Sequence, residues 1–298
     1  MRSAIRFEKK KIAVEYLSFI LPFLVIIVFI FVYPILKNIS LSFHNARFME
    51  KSEFIGFENY IKLFNDKRFW NSVFVLLKYT VLYTVGIFIV GFVTSTLLNS
   101  NDSKSKSIFR TIFVLPYAIP DVVAAMVFLW ILDFQFGIAN HLLIEVFHII
   151  DHPIHWLGAN KTTSLLTIVL IEIWRQFPLH TLLLLASMQD VPVELYEAAS
   201  LDGAGRISKF FKITIPHMSK VIMILLTLTI IWSLRRFTMI WLLTQGGPDR
   251  GTETIAIQIY NYVFQFNRMS YGAAIGVVLL ILTSVLLIIY MRLQKFEN

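Results

Sequence analysis

Six long apolar stretches dominate the chain, at residues 16–36, 73–98, 108–132, 162–187, 218–243 and 272–291. The first, second and sixth each contain roughly 20 consecutive residues without a charge, enough for a helix to cross a bilayer. Lipid offers the backbone no hydrogen-bond partner, so a run of this kind must satisfy itself as a helix. An all-α integral membrane protein with six transmembrane helices is therefore expected. Composition agrees, since 57% of residues are apolar and 15% charged, against about a quarter charged in a soluble domain.

The net charge of +8 would suit nucleic acid, but membrane topology accounts for it more simply. With a cytoplasmic N-terminus, the inner segments 1–15, 99–110, 188–220 and 292–298 hold 14 Lys and Arg in 67 residues. The outer segments 37–72, 133–161 and 244–271 hold 9 in 93 residues. Basic residues concentrate on the cytoplasmic side, which puts both termini there. A basic stretch (Arg2, Arg6, Lys9, Lys10, Lys11) precedes the first apolar run, and no small-x-small cleavage site follows it. Residues 1–15 then read as a cytoplasmic tail, with 16–298 as the transmembrane domain and its first span a retained signal anchor.

The loops are not simple linkers. Residues 37–72 include Phe54, Gly56, Phe57, Tyr60, Phe69 and Trp70, which suggest a small ordered cap. Residues 133–161 hold His141, His148, His152 and His155. His148 and His152 are one helical turn apart, which permits a metal site on the outer face, but loop histidines are more often solvated. The absence of cysteine excludes disulfides, thiol nucleophiles and thiolate metal centres.

Charges inside the spans are costly, at roughly 2.5–3.5 kcal/mol each on insertion scales, and usually face a cavity or each other. Glu172, Arg175 and Gln176 share one helical face by their spacing of three and four. Glu172 is 10 residues below the outer end of its span and Arg236 is 7 below its own. At about 1.5 Å per residue both lie roughly 10–15 Å deep. A buried Glu172–arginine salt bridge and a substrate-binding role are both open, and they can coexist. Lys78, Arg175, Arg235 and Arg236 outnumber Asp121 and Glu172, and surplus guanidinium suits a carboxylate or phosphate. Lys78 is placed to snorkel. Asp121 follows Pro116 and Pro120, which imply a kink. Trp174, Trp232 and Trp241 offer flat faces for stacking, Trp232 being one turn from Arg235 and Arg236. Glu172, Arg175, Gln176, Trp232, Ser233, Arg235 and Arg236 are the expected path residues.

Between the fourth and fifth spans lies DVPVELYEAASLDGAGRISKFFKITIP, residues 190–216. Asp190 can act as an N-cap and Pro192 suits a first turn. Residues 193–201 read as a short helix stopped by Gly203 and Gly205. A second short helix follows, with Ile207, Phe210, Phe211 and Ile213 apolar and Arg206, Lys209 and Lys212 on the other side. Pro216 is expected to open the fifth span. Such a helix–turn–helix suits either a connector lying on headgroups or a docking element for a soluble partner.

This loop resembles the EAA loop of binding-protein-dependent ABC importer permeases. That pattern is Glu-Ala-Ala, three residues, Gly, nine residues, then Ile-x-Leu-Pro. Glu197, Ala198, Ala199, Gly203, Ile213 and Pro216 stand in register, with Ile215 in place of the usual Leu. Leu195, Tyr196, Asp202 and Ala204 resemble the sugar-importer branch. YPILKNISLSF, FIGFENY, LPYAIP and LLTQGGPDR, followed by TETIAIQIYNYVF, are similar to the first membrane subunit of maltose-type and glycerol-phosphate-type importers in its shorter six-helix form.

The resemblance implies a type I ABC importer permease in a bacterial or archaeal inner membrane. Its expected partners are a second homologous permease, a dimer of cytoplasmic ABC ATPases, an extracytoplasmic solute-binding protein and membrane lipid, without nucleic acid. It also implies that Glu197, Ala198, Ala199, Asp202, Gly203, Ile213 and Pro216 couple the chain to the ATPases. The chain lacks the GxxxxGK[ST] phosphate loop and the HExxH arrangement. It is therefore not expected to be an enzyme or to hold a cofactor, ATP and Mg belonging to the partner. A carbohydrate is the expected solute, an oligosaccharide that is acidic in the reading of the surplus arginine. The alternatives are a permease for glycerol phosphate or a polyol, and an ion-coupled secondary transporter, for which no internal repeat is found.

Overall fold

The computed structural model describes residues 20–47, 52–99 and 105–295. The expected tail 1–15, the first residues of the first span and the last three residues lie outside the described residues. In chain order the helices that position the site are α1 (Ile20–Ser42), α2 (Glu58–Phe64), α3 (Lys67–Asn99), α4 (Ser105–Ala118), α5 (Asp121–Ile131) and α6 (Lys161–Gln189). They continue as α7 (Val193–Leu201), α8 (Arg206–His217), α9 (Ser219–Leu234), α10 (Thr238–Thr244), α11 (Ile255–Tyr260) and α12 (Met269–Lys295).

Among the described residues α1, α3, α6 and α12 are long and apolar enough to cross a membrane alone. The end of α4 with α5, and α8 with α9, form two bent pairs at 105° and 72°. The spans thus number four, or up to six if each bent pair is one span.

Two expected spans are broken. The third was expected to kink at its prolines, and instead it stops at Ala118 and restarts at Asp121. Pro120 has an extended ψ of 144°. It supplies no N–H, and it disfavours helical backbone at Ile119 before it. The fifth, expected to run from 218 to 243, ends at Leu234 and resumes at Thr238. No glycine or proline marks this break. The Arg235 and Arg236 amides bond the Trp232 and Ser233 carbonyls at 3.3 and 3.2 Å, a tightening to three-residue spacing that closes a helix. The Ser233 hydroxyl also donates to the Ile230 carbonyl at 2.7 Å, and such back-bonding bends helices.

The loop between α6 and α9 also departs from expectation in two details. Asp190 does not cap α7; it follows the last turn of α6, and Pro192 takes the N-cap position without a side-chain bond. Pro216 does not open the fifth span but lies within α8, and α9 starts at Ser219.

The chain divides into two compact units, residues up to 65 with 259–281, and residues 66–258 with 282–298. The first contains a short antiparallel ribbon, His44–Asn45 against Glu53–Phe54, followed by α2. Asn59 donates to the Ser42 and His44 carbonyls, both at 2.8 Å. Phe43 meets Phe57 edge-on at 5.2 Å and Tyr60 at 5.5 Å. This is the ordered cap the aromatic residues suggested, but Phe69 and Trp70 are not part of it. They lie in α3, in the other unit.

The second unit is built on α3 and α6. The Asn160 side chain caps α6 by accepting from the Thr162 and Thr163 amides at 3.0 and 2.8 Å, a bond worth ~1 kcal/mol. Tyr79, Tyr83 and Ile87 of α3 pack with Ile168, Val169 and Ile171 of α6, and with Met239 and Ile240 of α10. Lower down, Gly91 allows close approach, since a Cβ there would stand 3.1 Å from His180 Cβ and 3.2 Å from Leu184 Cδ1. Small residues serve this purpose between membrane helices. Hydroxyl pairs add to it, with Thr94 and Thr181 2.5 Å apart. After α10 the chain turns at Gln245 (φ 53°) and Gly246 (φ 94°). The following segment is pinned by Thr252, whose hydroxyl reaches the Gly247 carbonyl at 2.8 Å, and by an ion pair between Arg68 and the buried Glu253.

Candidate functional site

The two helix breaks meet the middle of α6, and a cavity of about 500 Å³ opens there. It is lined by Tyr117 and Asp121 from the α4–α5 break, by Gln176 of α6, and by Trp232, Arg235, Arg236, Phe237 and Thr238 around the α9–α10 break. A broken helix exposes backbone and polar side chains at membrane depth, which is tolerated only where it lines a cavity or is buried in protein.

Behind the cavity lies a closed set of charges. Arg175 Nη2 is 2.5 Å from Asp121 Oδ1. Arg236 Nε is 3.3 Å from Glu172 Oε1, and its Nη1 is 4.0 Å from Asp121 Oδ2. The Arg236 guanidinium carbon also sits 5.9 Å from the centre of the Tyr83 ring, a cation–π contact. Glu172 is wholly buried, and Arg175 and Arg236 nearly so. Two carboxylates therefore face two guanidinium groups, and four helical segments are tied together at one level.

Arg235 is different. It is exposed, it lines the cavity, and among the described residues it has no ion pair. A cation at the wall of a water-accessible cavity can receive an anionic ligand group without first giving up a protein partner. Trp232 lies beside it on the same wall, presenting a ring of the kind that stacks on sugar faces.

The expected path residues thus divide by environment. Gln176, Trp232, Arg235 and Arg236 line the cavity. Glu172 and Arg175 stand behind it in the ion network. Ser233 is not on the cavity: it is fully buried, and its hydroxyl oxygen is 2.9 Å from Thr80 Oγ1 of α3. Trp174 packs edge-on against Phe128 at 5.1 Å, and Trp241 stacks on Phe237 at 5.7 Å, so neither ring is presented to the cavity. Tyr117, Phe237 and Thr238 were missed from sequence. The PYAIP run did signal that the backbone around Tyr117 is irregular, while nothing local marked Phe237.

A second region of interest is the α7–α8 hairpin. Gly203 has a φ of 75°, and the Ala204 amide closes the turn onto the Ala199 carbonyl at 2.9 Å. Tyr196 and Thr214 hydroxyls are 2.8 Å apart, holding α7 against α8. Phe210 meets Phe92 of α3 at 6.0 Å. Glu197, Ala198, Asp202, Gly203 and Pro216 are exposed, while Ala199 and Ile213 are half-buried. No residue of α7 is buried, and Leu201 is 90% exposed. Ile207 and Phe211 of α8 are exposed too. Among the outer-loop histidines, His148 Nδ1 pairs with the Ile144 carbonyl at 2.8 Å and the His155 ring packs on Phe134. No group of three His, Asp or Glu that could hold a metal occurs among the described residues.

Residues 87–296 match the family of binding-protein-dependent transport system inner membrane components. The trehalose/maltose transport system permease protein of Thermococcus litoralis is 30% identical over 280 residues, covering 94% of this chain and 93% of that protein. The arabinooligosaccharides transport system permease protein of Bacillus subtilis is 33% identical over 290 residues, covering 97% and 90%. Among solved structures, a chain of a bacterial ABC transporter involved in the import of the acidic polysaccharide alginate superposes with a TM-score of 0.83 at 22% identity. The superposition covers 98% of each chain, a likeness of fold.

Proposed function

Since this chain belongs to the family of binding-protein-dependent transport system inner membrane components, we propose that it is the permease of an ATP-driven importer for a carbohydrate bearing an acidic group. Trehalose/maltose and arabinooligosaccharide permeases among its relatives support the carbohydrate part. The observation that carries the acidic part is Arg235, exposed on the cavity wall beside Trp232 while the neighbouring arginines are engaged by Asp121 and Glu172.

In this reading α4 with α5 and α9 with α10 are one span each, giving six with α1, α3, α6 and α12, with both termini cytoplasmic and residues 16–298 acting as one permease domain. The cavity is half of the translocation path, the other half coming from a second, homologous permease. A solute-binding protein delivers the substrate from outside. The α7–α8 hairpin faces the cytoplasm and docks on an ABC ATPase dimer, which holds the ATP and Mg. Glu197, Ala198, Ala199, Asp202, Gly203, Ile213 and Pro216 form the coupling surface. Its apolar exposure on Leu201, Ile207 and Phe211 is what an unfilled protein interface looks like. The path group consists of Gln176, Trp232, Arg235 and Arg236, with Glu172 and Arg175 as positioning residues.

Reconstitution with the partner subunits tests this. Uptake and ATP hydrolysis should be stimulated by carbohydrate-loaded binding protein. Arg235→Gln should lower uptake of an acidic oligosaccharide about tenfold or more while sparing a neutral one, as expected for loss of a charge-assisted bond of ~1.5–3 kcal/mol. Unchanged acidic-sugar uptake in that variant removes the acidic substrate. Transport by the chain alone, driven by an ion gradient, removes the importer.

A further inference from the structure

We propose that the groove between the N-terminal halves of α3 and α6 binds an anionic phospholipid, with Lys78 and Lys161 holding its headgroup phosphate. The groove has a volume of about 640 Å³, within the range of small-ligand sites. Leu77, Val81, Leu82 and Leu166 form its walls, and Lys78 and Lys161 supply its charge. No carboxylate lines it.

Four observations lead to a lipid. Lys78 and Lys161 have no ion pair among the described residues, in contrast to Arg68, Arg175 and Arg236 of the same unit. Lys161 begins α6, and Lys78 lies five residues inside the apolar run 73–98 carried by α3. A cation below the membrane interface must reach up to it or meet an anion.

The two side chains also have neighbours in the groove. Lys78 Nζ lies 4.4 Å from the centre of the Phe74 ring. The loop after α10 lies so close to Lys161 that a Cβ on Gly251 would stand 2.5 Å from its Cβ and Cγ. That loop is fixed by Asn71, whose side chain donates to the Arg250 carbonyl at 3.0 Å. Finally, Leu77, Val81 and Leu166 are 52%, 60% and 41% exposed. A free phosphate would leave these apolar walls bare, and an acyl chain running down from the phosphate covers them. Basic pockets between membrane helices recognise anionic headgroups in this way. The site is separate from the cavity at the helix breaks and does not depend on which solute is carried.

Native mass spectrometry of the full chain, purified in mild detergent with the subunits that accompany it, tests the site. Phosphatidylglycerol should be retained in preference to phosphatidylcholine. The Lys78→Gln/Lys161→Gln variant should bind phosphatidylglycerol about 30-fold more weakly, from the contribution typical of two lysines near a charged headgroup. The corresponding double Arg variant should retain it. Equal retention of both lipids, or no effect of the double Gln change, overturns the proposal. Displacement by millimolar inorganic phosphate also overturns it, since the ligand is then the free ion. If the Gln variant fails to fold, a photoreactive residue at Leu166 in the otherwise unchanged protein decides. Crosslinking to phospholipid supports the site, and crosslinking only to another polypeptide overturns it.

Discussion

Asp121 and Arg175 are joined at 2.5 Å, linking the first residue of α5 to the middle of α6 at the level where the third span is broken. Two features hold the carboxylate in place. It sits at the start of a helix, where the aligned peptide dipoles favour negative charge, and it faces two guanidinium groups. The broken backbone and the ion pair thus support one another: the break puts Asp121 on the cavity, and Arg175 compensates its charge.

Removing one partner should be worse than removing both. Asp121→Asn leaves Arg175 as an unmatched buried charge, a defect that costs about 3–5 kcal/mol, whereas Arg175→Met leaves Asp121, which is only part-buried on the cavity wall. Arg236 at 4.0 Å gives Asp121 a weaker second partner, so Arg175→Met should be the milder of the two. The Asp121→Asn/Arg175→Met double variant should recover part of the loss. Thermal unfolding of the purified chain measures all three, and strictly additive effects would show that the pair is not coupled.

Adjacent arginines should behave in opposite ways. Arg236 is buried against Glu172 and Tyr83, whereas Arg235 is exposed on the cavity. Arg236→Gln should therefore lower the unfolding temperature and yield, while Arg235→Gln leaves both close to wild type. Equal destabilisation by the two changes would contradict the difference between a path arginine held in the ion network and one exposed on the cavity wall.

Much of the architecture could be read from apolar runs, because lipid imposes helices on them whatever the tertiary context. The apolar runs placed α3, α6 and α12 within several residues of their ends, and spacing put Glu172, Arg175 and Gln176 on one face. The depth argument also brought Glu172 to the level of Arg236. The α9–α10 break was not legible, because it is made by serine back-bonding and a local tightening at Trp232–Arg236 with no glycine or proline to announce it. Pairing was less legible still. Asp121 is far from Arg175 in sequence, and only the 105° bend at Ala118–Asp121 carries its carboxylate to α6. The commitment of Ser233 to Thr80 of α3 was hidden for the same reason.

Gly203 gives a prediction about conformation rather than contact. Its φ is 75°, and nothing lies within 4 Å of where a Cβ would stand. A substitution there meets strain without a clash. Gly203→Asn should cost little, since Asn visits the left-handed region readily, and Gly203→Val should cost on the order of 1–2 kcal/mol. In the reconstituted importer, Val should uncouple ATP hydrolysis from uptake more than Asn does. A Val variant as well coupled as Asn would show that the turn can be remade.

Gly91 and Gly205 form a matched pair for the opposite case. A Cβ at Gly91 meets His180 and Leu184, whereas one at Gly205 meets nothing within 4 Å. Gly91→Leu should destabilise by about 1–3 kcal/mol through overpacking between α3 and α6. Gly205→Ala should be near neutral. Unfolding midpoints in one detergent make the comparison, and a tolerated leucine at 91 would mean that the two helices separate easily.

The exposed apolar tip of the hairpin separates folding from assembly. Leu201 is 90% exposed and Phe211 63% exposed, so neither contributes much to the stability of this chain. Changing both to Ser removes apolar surface that only a partner could bury, worth roughly 1.5–3 kcal/mol per fully buried side chain. The Leu201→Ser/Phe211→Ser variant should fold as well as the parent yet co-purify with its ATPase at least tenfold less well. If the ATPase remains bound at parental levels, the hairpin tip is not what it grips. If the chain alone loses stability, these side chains pack against the permease instead, and the exposed hairpin does not wait for a partner.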